Sequence, residues 1–196
     1  MVRGRSRDLG AGYIKKTLII NGSPRVNGDC AELIRELRRH LHGDTVEVSA
    51  FRSKIAPCVD CRGCHETARC VVYDEMAVIN DDDFDNAVLA TPVHFMSLPG
   101  PVLSLLSRFQ PQHAAEFLLN KPLKIRPKKA GLILTAGGKG NEAGVDHHVF
   151  VMFKMLNASG YEEHNVKSLN TDTIPAKSDK AALEDARKLA EWLNAD

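Results

Sequence analysis

The apolar runs Leu18–Ile20, Ala87–Ala90 and Gly131–Leu134 contain no polar residue at alternate positions. A strand with one wet face alternates, whereas a strand buried on both faces reads as a continuous run. Between these runs lie segments with helical spacing. Leu33, Ile34, Leu37 and Leu41 share one face opposite Glu32, Arg35, Glu36 and Arg39. Val149, Met152, Phe153 and Leu156 mark a second such face, and Leu183, Ala186, Ala190 and Leu193 a third. Buried strands alternating with amphipathic helices predict an α/β chain, a doubly wound parallel sheet with helices on both faces. Strands are expected at 17–21, 45–51, 86–91, 130–135 and 161–169, the last polar enough for a sheet edge. The first of these helices is expected over 31–42, and further ones over 74–80 and 102–109. The 196 residues suit one such domain. It is expected to span 15–196 behind a flexible basic tail, 1–14, with a cysteine-rich loop at 57–71.

In such sheets ligands gather beyond the carboxyl ends of the strands. Three unusual loops follow the first, third and fourth strands: Asn21–Cys30, Pro92–Pro101 and Ala136–Gly140. All three therefore open at one edge. In the first, Gly22, Ser23 and Gly28 let backbone N–H groups converge, and the following helix adds its unpaired donors and positive dipole end. A dianionic phosphate is the natural occupant; a turn and helix cap without a ligand is the plain alternative. The loop matches neither the Walker A pattern nor Gly-x-Gly-x-x-Gly.

Four of the five cysteines, Cys58, Cys61, Cys64 and Cys70, crowd into one loop, while Cys30 stands alone at the first. Thiolates spaced by two residues can turn inward on one small object, and Pro57 and Gly63 favour the tight backbone this needs. The spacing is near a ferredoxin run, with five residues before the fourth cysteine and no proline after it. A four-iron cluster, structural zinc, and thiols that merely pack beside a neighbour are the competing readings.

A formal net charge of +1 gives no reason to expect nucleic acid or an anionic membrane as partner. No apolar run approaches a membrane span, and residues 1–16 lack the apolar core and cleavage pattern of a signal peptide. The expected location is the cytoplasm, where free thiols are the default. His147 and His148, opening a helix, read as solvent or partner contacts, and Asp81–Asp83 as a solvated turn. No Ser-His-Asp arrangement or metalloprotease helix supports hydrolysis.

Asn21-Gly-Ser-Pro-Arg25 with Asn27-Gly28, the run Cys58-x2-Cys61-x2-Cys64-x5-Cys70, Thr91-Pro-Val-His-Phe95 with Ser97-Leu-Pro-Gly100, and Thr135-Ala-Gly-Gly138 together resemble the NADPH-dependent FMN reductase family. The cysteine spacing is similar to that of its iron–sulfur flavoprotein branch. The resemblance implies a flavodoxin-like fold, five parallel strands in the order 2-1-3-4-5, and noncovalent FMN. It also implies a homodimer or homotetramer that takes electrons from NAD(P)H or a ferredoxin-like donor and passes them to a quinone, a flavin or another small acceptor. Two rivals are an electron carrier with flavin and cluster but no substrate pocket, and a thiol-based redox or metal sensor.

Carried over by position, Ser23 would donate its hydroxyl to the FMN phosphate and Arg25 would supply a charged fork. Backbone amides of Asn27, Gly28, Asp29 and Cys30 would close the nest. The family has Asn then Thr or Ser where this chain has Asp29 and Cys30. A thiol is a poor substitute for that hydroxyl, so weaker FMN binding is expected, with Asp29 turned away to cap its own helix. Pro92, Val93, His94 and Phe95 would pack the isoalloxazine ring, with backbone N–H groups of the residues after the proline bonding its polar atoms. Thr135, Gly137 and Gly138 would cover its other side. Lys139 would pair with the flavin or a nicotinamide phosphate, or stand as a solvated loop charge. Cys58, Cys61, Cys64 and Cys70 would hold a [4Fe-4S] cluster. No catalytic acid or base is assigned, because the flavin carries the chemistry.

Overall fold

A computed structural model describes residues 13–80, 83–121, 125–138 and 142–196. In chain order the elements are β1 (Lys16–Asn21), α1 (Asp29–His40), β2 (Asp44–Ser49), α2 (Cys64–Thr67), α3 (Met76–Asn80), β3 (Asn86–Pro92), α4 (Gly100–Ser107) and α5 (Gln110–His113). There follow a π-helical turn (Ala114–Leu118), β4 (Lys128–Thr135), α6 (Ala143–Met155), β5 (Ala158–Ser159), β6 (Asn165–Ser168), a 3-10 turn (Ala176–Ser178) and α7 (Lys180–Asn194).

The strands order as β2-β1-β3-β4-β5, the flavodoxin-like sequence, and every pairing is parallel. Alternate residues of each strand serve different helix layers, as a period of two requires. Leu18 and Ile20 of β1, with Leu89 of β3 and Leu134 of β4, pack toward α3, α4 and α6. Ile19, Val88 and Ile133 pack toward α1 and α7, against Leu33, Leu37, Leu189 and Leu193. All these side chains are buried. Each is stabilising by about 1.5–3 kcal/mol relative to exposure, which explains the absence of polar alternation.

The fifth position differs from expectation. Instead of one strand over 161–169, two short pieces line β4: β5 opposite Lys128–Lys129 and β6 opposite Leu132–Thr135. The break falls at Gly160, whose φ of +97° turns the chain. A side chain there would press on the Trp192 ring at 2.6 Å, and His164 stacks on that same ring at 3.9 Å between centroids. The polar stretch 161–164 is thus a turn folded over Trp192, and pairing resumes only at Asn165.

The expected tail reached residue 14, and residues 1–12 lie outside the described ones. The Tyr13 hydroxyl donates to the Asp85 carboxylate, which also accepts the Lys16 N–H at 2.8 Å. Among the described residues, no helix is long and apolar enough to cross a membrane.

Candidate functional site

Because the strands run in parallel, their carboxyl ends form one row. Asn21 is level with Ser49 and Ala90, Pro92 with Thr135, and Thr135 with Ser168. The loops after β1, β3 and β4 therefore do share a rim, and the loop after β6 joins them. Backbone bonds lace this rim: Gly22 N–H to Ala90 O at 2.7 Å, Val93 to Thr135 at 2.8 Å, Ala136 to Ser168 at 2.9 Å and Asp172 to Gly137 at 3.0 Å. Asp172 went unnoticed in the sequence. Its carboxylate lies where any side chain at Gly137 would stand, 2.5 Å from a Cβ there.

The first loop is built for close approach. A Cβ on Gly22 would meet Thr91 and Val102 within 3 Å, and one on Gly28 would meet Arg25 Cβ at 2.7 Å. Ser23 is buried, gives its N–H to Asn21 Oδ1 at 2.9 Å, and accepts the Arg25 N–H on Oγ at 3.2 Å. Its hydroxyl is also within hydrogen-bond reach of the Cys30 thiol. Gly28 caps α1 without a side-chain bond. Among the described residues, the N–H groups of Asn27, Asp29, Cys30 and Ala31 find no acceptor. Unpaired donors converging at a helix start suit an anion.

Asp29 does turn away from this nest, but not to cap its own helix. It is the first helical residue, so its side chain points outward, and Oδ1 accepts the Ala176 N–H at 2.9 Å. The Cys30 thiol is 1% exposed and lies 3.1 Å from Thr135 Oγ1. Burial pushes its pKa up to about 11 against the lowering hydrogen bonds of Thr135 and Ser23, with Asp29 adding a further upward push. Cys30 and Thr135 are thus the closed floor of the loop. The surface available to an anion is backbone N–H, Ser23 Oγ and the exposed Arg25.

The β3 loop also departs from expectation. The Val93 N–H is spent on Thr135 O, and the His94 N–H on Ser97 O at 2.9 Å. Neither is free for a ring. Residues 94–97 form a tight hairpin with Phe95 and Met96 both left-handed, at φ of +48° and +60°. Such turns usually take Asn-Gly, and bulky residues there are strained. Among the described residues, the N–H groups of Phe95 and Met96 at the tip of this hairpin find no acceptor. The Phe95 ring itself is fully exposed. Gly137 and Gly138 face the rim from β4; Lys139 and Gly140 lie outside the described residues, as do Asp81 and Asp82.

The cysteine loop leaves the same edge after β2 but runs elsewhere. Its Cys58 N–H donates to Ser107 Oγ at 3.1 Å, at the far end of α4. With about 1.5 Å of rise per residue, that helix carries the loop well away from the rim where Pro99 caps it. Cys58, Cys61, Cys64 and Cys70 line one small cavity, and no cysteine is in a disulfide. The Cys64 pKa is raised, first by burial and then by the charges of the other three. Among the described residues, no three His, Cys, Asp or Glu side chains stand together closely enough to hold a metal ion.

The organiser of this loop is Arg108, which sequence reading missed. Its side chain is 2% exposed. It donates to Ala56 O (2.8 Å), Val72 O (3.2 Å), both Asp74 oxygens (2.6 and 3.2 Å) and Cys70 Sγ (3.5 Å). One guanidinium therefore grips the loop before Cys58 and after Cys70. Burial works against the Asp74 charge, but Arg108 and the N–H groups of Ala56 and Met76 prevail and hold its pKa below the usual carboxylate range. Arg108 also lines the cavity, and its Nε is buried with no partner. Four thiols and an unsatisfied buried N–H suit a negatively charged metal–sulfur centre in kind, although the thiols stand open.

Comparison with known proteins agrees with this geometry. The model of the NADPH-dependent FMN reductase family matches residues 15–167. An iron–sulfur flavoprotein of Methanocaldococcus jannaschii is 24% identical over 186 residues, covering 89% of this chain and 93% of that protein. Among solved structures, NAD(P)H:quinone oxidoreductase from Methanothermobacter marburgensis superposes with a TM-score of 0.64 at 11% identity, over 94% of this chain and 99% of that one. Azoreductase from Bacillus anthracis gives 0.60 at 16% identity, over 92% and 99%. The two structures share the fold, and the family match spans most of the chain: this protein belongs to the NADPH-dependent FMN reductase family.

Proposed function

We propose that this flavoprotein oxidoreductase binds FMN across the rim and moves electrons from NAD(P)H or a reduced carrier to a quinone, a flavin or another small acceptor. The observation that carries this is the cluster of unpaired N–H donors of Asn27, Asp29, Cys30 and Ala31 beside Ser23 and Arg25, the Gly28 N–H being spent on Arg25 O. When bound, FMN supplies hydride and single-electron chemistry. The chain's part is to hold and orient it. The amides of Asn27, Asp29, Cys30 and Ala31, with Ser23 Oγ and Arg25, take the phosphate. The N–H groups of Phe95 and Met96 take polar atoms of the ring from one side, and Gly138, open where Gly137 is covered by Asp172, allows close backbone approach from the other. The exposed Phe95 and Met96 offer apolar surface that a second copy in a homodimer or homotetramer would cover, which sedimentation equilibrium tests. Titrating the protein with FMN tests the main reading: flavin fluorescence should be quenched at micromolar protein, and unquenched fluorescence counts against it.

A second reading is favoured by the shared cavity of Cys58, Cys61, Cys64 and Cys70 with Arg108 in its wall. Here the protein is an electron carrier, and a [4Fe-4S] cluster on these thiols would supply one-electron steps. Iron and acid-labile sulfide analysis of anaerobically prepared protein tests the cluster. Stopped-flow mixing with NADH and NADPH then separates the readings. Rapid flavin bleaching by a pyridine nucleotide supports the enzyme; reduction by ferredoxin alone supports the carrier.

A further inference from the structure

Glu47 lies in the middle of β2, outside every motif that marks the rim, yet three donors converge on its carboxylate. Asn21 Nδ2 donates to Oε1 at 2.8 Å, Arg38 Nη2 stands 3.0 Å from Oε2, and Arg52 Nη2 stands 3.7 Å from Oε1. Asn21 is the last residue of β1 and 3% exposed. Its other end, Oδ1, accepts the Ser23 N–H at 2.9 Å, and Ser23 Oγ accepts the Arg25 N–H. An ion pair from α1 to β2 therefore continues as a line of hydrogen bonds from Glu47 through Asn21 into the phosphate loop.

The direction of that line depends on chemistry at Glu47. An amide has one donor end and one acceptor end, so Asn21 can present Oδ1 to Ser23 only while Nδ2 faces an acceptor. A carboxylate has acceptors on both oxygens and can meet Asn21 and Arg38 together. A glutamine there cannot. Turned to accept from Asn21, it aims its NH2 group at the Arg38 guanidinium. Turned to accept from Arg38, it forces Asn21 to flip and to face the Ser23 N–H with another donor. The second arrangement sets two buried donors face to face at Asn21 and Ser23, which is costly; the first deprives the partly exposed Arg38 of its carboxylate.

We propose that Glu47 is a positioning residue for the phosphate loop: its charge fixes the Asn21 amide, which in turn holds Ser23 and Arg25 in their phosphate-binding orientation. The proposal rests on the reading of residues 22–31 as the seat of the FMN phosphate. Glu47 touches no part of the flavin and acts only through Asn21.

The test compares FMN with riboflavin, which has the same ring and no phosphate. Dissociation constants for both are measured by fluorescence quenching on the wild type, Glu47→Gln and Glu47→Asp. The expected result is that Glu47→Gln weakens FMN about five- to tenfold, one lost hydrogen bond to a charged group or somewhat less, while riboflavin changes less than twofold. Glu47→Asp keeps both acceptors and is expected within about threefold of wild type for FMN. Equal loss for both flavins in Glu47→Gln means a general structural effect and overturns the proposal. So does an unchanged FMN affinity, or a Glu47→Asp protein as weak as Glu47→Gln. A wild type that binds riboflavin as tightly as FMN, or neither, removes the phosphate seat itself and the Glu47 role with it.

Discussion

The rim and the cysteine loop leave the same edge of the sheet, yet they are held in different ways. The rim is laced by backbone bonds between neighbouring strand ends, and its side chains add orientation: Asn21 on Ser23, Asp29 on Ala176, Thr135 on Cys30. No single residue carries it. The cysteine loop contains only the one-turn helix α2, and a single buried cation grips it at both ends. A site inherited from sheet geometry is fixed before any ligand arrives. A site hung on one ion pair can open and close around what it holds, which is the more useful property for a centre assembled after folding.

Removing Arg108 is the harshest way to break this contrast. Arg108→Met leaves Asp74, whose side chain is 13% exposed, without its cation. Breaking a buried pair from one side costs about 3–5 kcal/mol, so a urea melt should show a loss of that size. The FMN dissociation constant, measured below the melt, should stay within about twofold of wild type. A parallel tenfold fall in FMN affinity would mean that rim and cysteine loop are one mechanical unit.

The same contrast explains what the sequence disclosed. Rim loops announce themselves locally, because Gly22, Gly28, Gly137 and Pro99 are needed where the chain turns or approaches a neighbour. Buried strands announce themselves by their lack of alternation. Glu47 and Arg108 gave no signal, since each reads as an ordinary charge on an element's surface. Their partners lie 26 residues away at Asn21 and 34 away at Asp74, and only the fold brings them together. The fifth strand was drawn too long for a related reason: Gly160 and His164 close on Trp192 from α7, and the strand within 161–169 is confined to Asn165–Ser168. Likewise, nothing local reveals that Val93 and His94 have already spent their N–H groups.

A milder change probes the rim alone. A Cβ on Gly144, in the first turn of α6, would lie 2.2 Å from the Met96 carbonyl oxygen. Backbone cannot swing aside as a side-chain tip can, so Gly144→Ala must lift the 94–97 hairpin or shift the helix. Overpacking of this kind costs about 1–3 kcal/mol. Both stability and FMN affinity should fall, while iodoacetamide labelling of Cys58, Cys61, Cys64 and Cys70 keeps its wild-type rate. Gly100, with nothing within 4 Å of its added Cβ, supplies the control: Gly100→Ala should leave FMN affinity unchanged. A labelling rate that changes with Gly144→Ala would join the two regions.

The smallest effect distinguishes the two kinds of thiol. The Cys30 pKa is raised to about 11, chiefly by burial, from an ordinary value of 9.0. Between these values the unfolded chain releases a proton that the folded chain retains, so stability is full below about pH 9 and declines as pH rises toward 11. Between pH 8 and pH 10 the loss from this group is roughly 1–1.5 kcal/mol, since one pKa unit is worth about 1.4. Other groups titrate over the same range, Tyr161 among the shifted ones, so the measurement is a difference. Urea melts at both pH values are compared for wild type and Cys30→Ala, and the variant should lose less stability by that amount. Exposed Cys61 has no comparable burial, and Cys61→Ala should follow the wild type. Equal slopes for wild type and Cys30→Ala would mean that the floor of the loop after β1 opens to water, and that the rim is no more closed than the cysteine loop.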